Sequence, residues 1–474
     1  MHAKHLNLSA SRFGMHNLNM ESNILKAGFS RVDITPRVGV ELTGYLAWPL
    51  RASHRVLAPL EARGIALEMG GTKACIVCCD LCLLSPDIAA KALEAIQKRL
   101  PFLPQSNVMV LCSHTHSAPS ANFDIGNGMP DPVYTELLPH RIAQAAAKAF
   151  ENMAEVTVSH AEVPCKGIAI NRVYDKFFDT PENVLKEGWT PEKADLTDST
   201  CHVVRFDAVG GGLKGFFAYY GCHLVTAGDA DFISPDFAGL AMRELMDENP
   251  GAVGCFIQGA EGDINTGCAS VERAEECLSV LSKRFAAAVR NGLDSAKPLD
   301  CSRLLCRSID CEFSYLPEYT PEHVQNMLNG YAAKVFTEDA SDSDQTLRWN
   351  LVFMKGAERL LEFVKSHKAV NVRITAVRLG DLELLGAPFE IMSAIWRDTR
   401  NAVKAPIPLV ASLCNGTYGY APDNTQLAKL KDDENNFAGR IVPMIWGLPP
   451  YSDIHNELVA AFKKADASFF PTAP

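Results

Sequence analysis

The residues best able to do chemistry in this chain are far apart, and each stands just past an apolar run. His114 and His116 lie two apart in "NVMVLCSHTHSAPS". In an extended strand, positions i and i+2 project to one face. The spacing therefore predicts two imidazoles pointing the same way at the carboxyl end of the strand. Adjacent rings repel if both are charged, which favours neutral imidazoles and leaves one able to give a lone pair to a cation. A pair of hydrogen-bonded surface histidines has the same spacing, so the pair alone leaves both readings open. His223 ends "GFFAYYGC" and Glu390 follows "LELLGAPF". Singly, each is an ordinary loop residue. Taken with the histidine pair, they supply two nitrogens and an oxygen, a donor set that suits zinc with one position left for water or substrate.

Three further segments carry usable groups. "FIQGAEGDINTG" is a strand running into a turn, with Asp263 and Asn265 at its tip. Gly259 and Gly262 would let the backbone come close to a ligand, and the Asn265 amide can both donate and accept. An ordinary Asp and Asn turn has the same composition. "AINRVYD" sets Arg172 after another strand, where a guanidinium can bind a substrate anion or a structural aspartate. "LCNGTYGYAPD" puts Tyr418 and Tyr420 in a glycine-bearing turn, where tyrosines mostly pack.

These groups need a scaffold of strands and helices, and the pattern supplies one. Strand-like runs ("ARGIALEM", "KACIVCCDLCLL", "NVMVLCS") alternate with a helical pattern at 86–99, and a long alanine-rich amphipathic helix follows at 131–153. More strand-like runs follow, with helices at 236–248, at 271–292 and near the end. The order predicts an α/β fold, a mixed multi-stranded β-sheet core flanked by helices. Residues 1–24 read as a flexible tail and 25–474 as a single large catalytic domain, with loop insertions near 174–200 and 314–350. "GGGLKG" at 210–215 joins two strand-like runs with no helix after it, which reads as a hairpin turn and not a phosphate cradle.

Composition narrows the functional classes. The chain has 474 residues, 47% of them hydrophobic, and a formal net charge of -11. That charge argues against nucleic acid, whose phosphates call for a basic surface. The longest apolar run is too short to span a bilayer. Fifteen cysteines, an odd number scattered through apolar runs, fit a reducing compartment, and the expected location is the cytoplasm. The cluster Cys75, Cys78, Cys79 and Cys82 lacks a second pair at finger spacing and reads as buried thiols. A homo-oligomer is left open.

Taken in order, "AGFSRVDITP", "SHTHSAP", "INR", "CHLVT" with "SPDFAGL", "QGAEGDIN", "APFE" with Arg397 or Arg400 following, and "NGTYGY" resemble the neutral, non-lysosomal ceramidase family of zinc amidases. The resemblance runs from residue 27 to about 421. It implies a ceramidase catalytic-domain-like fold and one zinc ion held by His114, His223, Glu390 and Tyr420, with His116 and Arg172 on the substrate side. A zinc so held can lower the pKa of bound water and polarise a carbonyl. Two departures stand out. Where ceramidases proper carry a serine thought to act in catalysis, with a proline after it, this chain has Asn265 and Thr266. The sequence also leads one to expect neither the secretory leader nor the C-terminal immunoglobulin-like domain that secreted ceramidases carry.

An amide is no nucleophile. The expected enzyme is therefore a zinc-dependent hydrolase in which metal-activated water attacks the amide, or a related acyl bond, of a small polar substrate. His116 would shuttle a proton or hold the oxyanion. Asp263 and Asn265 would position water, and Arg172 would anchor an anionic part of the substrate, with Thr266 a secondary candidate nucleophile. The alternatives are a ceramidase-like lipid amidase, a catalytically silent metal- or ligand-binding homologue, and zinc chemistry other than acyl hydrolysis.

Overall fold

The computed structural model describes residues 24–45, 51–122, 126–430, 432–433 and 435–470. The tail expected over 1–24 thus lies almost wholly outside the described residues. The larger sheet is built from β1 (Lys26–Asp33), β2 (Glu61–Met69), β3 (Thr72–Cys79), β4 (Val108–Cys112), β5 (Met153–Pro164), β6 (Thr200–Ala208), β7 (Leu213–Tyr220) and β8 (Val253–Gln258). Their spatial order is β8-β7-β6-β5-β1-β2-β3-β4, and a two-residue strand, Lys297–Pro298, pairs with β5. The β3–β4 and β7–β8 pairs at the two ends are parallel, and the pairs between them are antiparallel. "GGGLKG" supplies the β6–β7 hairpin turn, as its composition predicts.

A second mixed sheet has the order β9 (Leu304–Phe313), β10 (Val370–Leu379), β11 (Leu382–Gly386) and β12 (Ile407–Ala411). Its inner face packs on the larger sheet in one apolar layer that includes Phe29, Ile65, Ile76, Met109 and Phe206 from one side and Ile374, Ala376, Leu384 and Leu409 from the other. β2 is buried along nearly its whole length because apolar layers cover both of its faces. Helices α1 (Pro86–Arg99), α2 (Pro132–Glu151), α3 (Asp236–Glu248) and α4 (Ala274–Ser295) cover the far side of the larger sheet. The starts of α1 and α2 are legible in the sequence. Ser85 accepts from the amide of Ile88 ahead of Pro86, and Asp131 accepts from Tyr134 ahead of Pro132, so each helix has a side-chain cap and a proline in its first turn.

Residues near 314–350, expected as a loop insertion, are mostly helical. α5 (Pro321–Val335) and α6 (Gln345–Ser366) form an antiparallel hairpin, and the acidic stretch 336–344 is only its connection. The polar composition reflects the hairpin's exposed outer face, whereas its inner face buries Val324, Leu360, Leu361 and Val364. Helices α7 (Ser393–Ala402), α8 (Val442–Trp446) and α9 (Ile454–Ala467) complete the chain. No helix among the described residues is long and apolar enough to cross a membrane. All fifteen cysteines are unpaired, and Cys75, Cys78, Cys79 and Cys82 are buried.

Candidate active site

The HxH segment reaches its position by a route other than strand alternation. β4 ends at Cys112, and His114 takes a left-handed backbone with φ 69, a conformation that costs a non-glycine residue about 1–3 kcal/mol. The premise of an extended strand with both rings on one face is therefore corrected. The amide of His114 donates to the Leu81 carbonyl (2.8 Å) and that of His116 to Leu224 (3.0 Å). The segment is thus strung between the chain leaving β3 and the chain leaving β7. The two rings still meet, Nε2 to Nε2 at 3.3 Å.

His223 follows β7, and its amide is held by the Ile264 carbonyl at 2.9 Å. Glu390 and Tyr420 are direct register partners in a two-residue parallel bridge, which sets carboxylate and phenol side by side. The turn at Gly262 packs on that bridge. A Cβ on Gly262 would lie 2.8 Å from the Glu390 carbonyl oxygen, so only glycine lets the turn and the bridge approach. The ligand-type atoms of His114, His223 and Glu390 all lie within 4.8 Å of one another, and all three residues are buried. Tyr420 joins them with its hydroxyl 3.3 Å from His223 Nε2.

The surrounding hydrogen bonds fix the tautomers. Nδ1 of His114 lies 2.9 Å from the Cys82 carbonyl, and Nδ1 of His223 lies 2.8 Å from that of Glu261. A carbonyl oxygen only accepts, so Nδ1 carries the proton in both rings and Nε2 faces inward. Glu390 Oε2 lies 3.4 and 3.2 Å from those two Nε2 atoms, yet it is buried without a hydrogen bond. Burial works against the Glu390 charge, but His114 and His223 hold its pKa well below the usual carboxylate range. Burial, Arg172 and His114 push His223 down to about 3. Burial and the two neighbouring histidines push His116 well down as well. Burial opposes the charged form of His114, but Glu390 and Cys82 outweigh it and raise its pKa.

The other predicted residues divide. Arg172 lines the same cavity and donates to Tyr420 Oη (2.8 Å), the Gly262 carbonyl (2.7 Å) and Asn265 Oδ1 (3.4 Å). Asn265 also lines it, with Nδ2 donating to the Phe177 carbonyl at 3.2 Å. Asp263 does not face the cavity. Its oxygens accept from the Ser393 amide and hydroxyl, both at 2.7 Å, and from Asn171 Nδ2 at 2.8 Å. The carboxylate expected to position water is thus a clasp between the turn and the start of α7. Thr266 Oγ1 donates to the Cys268 carbonyl within a short buried strand. Arg397 and Arg400 line a separate cleft beside Trp396, and Tyr418 lies outside the cavity walls.

Sequence reasoning missed most of those walls. The cavity, about 250 Å³, is also lined by Tyr45, Phe178, Trp349, Phe437 and Trp446. Tyr45 meets the His116 ring edge-on at 5.1 Å. The adjacent Gly44 has φ +110, and a Cβ there would sit 2.4 Å from that ring, a contact that no other residue type could accept without displacing His116. Single aromatic residues in helices and loops carry no periodic signal, so nothing in the sequence marks these as walls.

This architecture is a recognised one. The family described as "Neutral/alkaline non-lysosomal ceramidase, N-terminal" matches residues 25–286, more than half of the chain, and the protein belongs to that family. Among solved structures it resembles a neutral ceramidase from Pseudomonas aeruginosa, with a TM-score of 0.70 and 17% identity over 96% of this chain and 76% of that one. It also resembles a ceramidase complexed with C2, with a TM-score of 0.73 and 17% identity over 96% and 77% of the two chains. A comparison with curated proteins finds no match. At that identity the structures establish a shared fold.

Proposed function

We propose that the protein is a zinc-dependent hydrolase that cleaves a carbon–nitrogen amide bond of a small molecule in the cytoplasm. In this reading residues 25–474 act as one catalytic unit, and one zinc ion is held by His114, His223, Glu390 and Tyr420. A single observation carries the proposal. Two imidazoles whose Nδ1 atoms are pinned by backbone carbonyls turn Nε2 toward a buried carboxylate oxygen that has no hydrogen bond of its own. A buried anion without such a bond is costly unless a cation meets it, and N,N,O donors with a phenol beside them suit zinc. Family membership supports the amidase class, and fifteen unpaired thiols support a reducing compartment.

When bound, zinc supplies Lewis acidity that polarises an acyl oxygen and makes water more acidic. The chain's own residues do the rest. His116 faces the cluster through Nε2, so it can accept a proton from attacking water and return it to the leaving nitrogen. Arg172 holds the Tyr420 oxygen and braces Asn265. Asn265 stands where the resemblance puts a serine, and its amide orients the reacting acyl group without forming a covalent bond to it. The test is metal analysis of purified protein combined with an amide panel. About one equivalent of zinc and turnover that disappears in His114→Ala are expected. Under a tenth of an equivalent, with no gain on reconstitution, ends the reading.

A further inference from the structure

Fifteen thiols are scattered through this fold, and two of them, away from the donor cluster, touch each other. Cys268 and Cys277 hold their sulfurs 3.7 Å apart, with Cys268 donating to Cys277. Cys268 follows the short strand Ile264–Thr266, which carries Asn265, and Cys277 is the fourth residue of α4. Both are buried, but the loop that joins them exposes Val271 and Glu272. A small oxidant can therefore reach the pair when the loop opens, whereas a bulky one is kept out.

The surroundings favour a reactive sulfur at one end of the pair. Burial raises the thiol pKa of Cys75, Cys112 and Cys201. Cys277 is instead drawn below its ordinary value by the bond from Cys268, with Arg273 acting the same way against burial. That same bond raises Cys268. A thiolate beside an arginine near the start of a helix is the nucleophile of a dithiol, and its protonated neighbour is the resolving partner. A disulfide brings the sulfurs to about 2.05 Å, so closure asks for about 1.7 Å of movement from the present 3.7 Å. The loop can supply it more easily than the helix. Movement at Cys268 is passed to the site, because Thr266 Oγ1 donates to the Cys268 carbonyl at 3.0 Å. Gly267 is in turn bonded to Ile168 (2.6 Å) and Asp179 (2.7 Å).

We propose that Cys268 and Cys277 are a redox-modification site, closing under peroxide into a reversible disulfide that ties the strand carrying Asn265 to α4. The Cys277 thiolate attacks one peroxide oxygen, the O–O bond breaks, and hydroxide leaves with the proton that Cys277 had given up. The Cys268 thiol then attacks the resulting sulfenic sulfur, the S–S bond forms and a second water departs. The two thiols lose two electrons and the peroxide gains them. The bridge stands by itself, and its effect on turnover rests on the amidase reading above.

The test treats the zinc-loaded full chain with stoichiometric hydrogen peroxide and maps its peptides without reduction. A Cys268–Cys277 linkage is expected as the main disulfide, with an intact-mass loss of two hydrogens that dithiothreitol reverses. In Cys268→Ser, Cys277 should hold a sulfenic acid that dimedone traps. Amidase kcat/KM of the oxidised unmodified chain should fall about 10- to 100-fold, the scale of a displacement of about 1 Å near a reacting group. Cys277→Ala should resist that loss. A different dominant disulfide, no linkage at all, or an equal loss in Cys277→Ala overturns the proposal. A bridge that leaves turnover unchanged overturns the tie to the site. A chain that forms the bridge but hydrolyses no amide, oxidised or reduced, sinks the hydrolase reading alone.

Discussion

Among the described residues, metal-ligand residue types gather in two separate regions, the inner one also including an overlapping group of Cys82, His114 and His116, and the regions differ in what surrounds them. The inner one gathers His114, His223 and Glu390, and the outer one gathers His160, Glu162 and His202 on the adjacent strands β5 and β6. Inside, backbone carbonyls hold each Nδ1, and the carboxylate side chain is 4% exposed. Outside, His160 Nε2 and His202 Nδ1 are each other's hydrogen-bond partner at 3.2 Å, between nearly parallel rings, and Glu162 is 49% exposed. Both clusters contain an imidazole–imidazole contact, at 3.3 Å inside and 3.2 Å outside, but the outer carboxylate is exposed and already satisfied by water. Residue type and proximity are shared. The pinned tautomer and the dry, unpaired oxygen are not, and these are what mark a metal centre.

The largest effects should separate the two clusters directly. His223→Ala and Glu390→Gln are expected to reduce zinc, measured by plasma emission on purified protein, from about one equivalent to under a tenth. Amidase kcat/KM should fall by about a thousandfold or more. His202→Ala should leave both unchanged. Metal loss from the outer variant, with the inner variants still loaded, would reverse the assignment. Next in size is the effect of chelation on stability. A cation bound only by the folded state, at a thousand times its dissociation constant, adds about 4 kcal/mol, so dipicolinate should lower Tm by about 5 °C. The drop should persist in His160→Ala and vanish in Glu390→Gln, and scanning calorimetry with and without chelator reads both.

Much of this contrast can be traced to what one sequence can and cannot encode. Helix α1 was legible because Ser85, Pro86 and the last-turn Lys98 and Arg99 are local signals. The β6–β7 hairpin was legible for the same reason. The meeting of His114, His223, Glu390 and Tyr420 was legible only as a recurrence of ionisable groups past strand ends, joined by family resemblance. No local rule links positions 114 and 390. The HxH rings were placed together by the wrong route, because a φ of 69 at His114 is imposed by tertiary bonds to Leu81 and Leu224 and has no sequence mark. The α5–α6 hairpin was hidden by its polar outer face, and Trp349 was hidden with it. Asp263 lay in the expected turn, but the direction of its side chain depends on Ser393, 130 residues later.

A smaller effect tests the rim of the inner cluster. Tyr420→Phe removes one oxygen 3.3 Å from His223 Nε2 and the acceptor of an Arg172 bond at 2.8 Å. A lost bond to a charged group costs about 1.5–3 kcal/mol, so kcat should fall about 10- to 100-fold. Most of the zinc should remain on the other three residues. An unchanged kcat would remove Tyr420 from the site and leave the His, His and Glu arrangement standing.

The smallest expected effect belongs to the outer cluster and concerns pH. Burial, with His160 and Arg400 adding, depresses His202 to about 3. The unfolded chain binds this proton below about 6.5, and the folded chain does not. The stability associated with the neutral ring is therefore fully present above about pH 6.5 and is lost as pH falls toward the folded pKa, by about 1.4 kcal/mol per unit. At pH 5 that is about 2 kcal/mol. His202→Phe keeps an aromatic ring against Tyr219 and Trp396 and removes the titration. Its urea-unfolding free energy should fall less between pH 7 and 5 than that of the unmodified chain. Parallel pH profiles would mean that His202 takes up its proton while folded. The outer pair would then be a titrating surface feature, and its difference from the inner cluster would lie in exposure and not in hydrogen bonding.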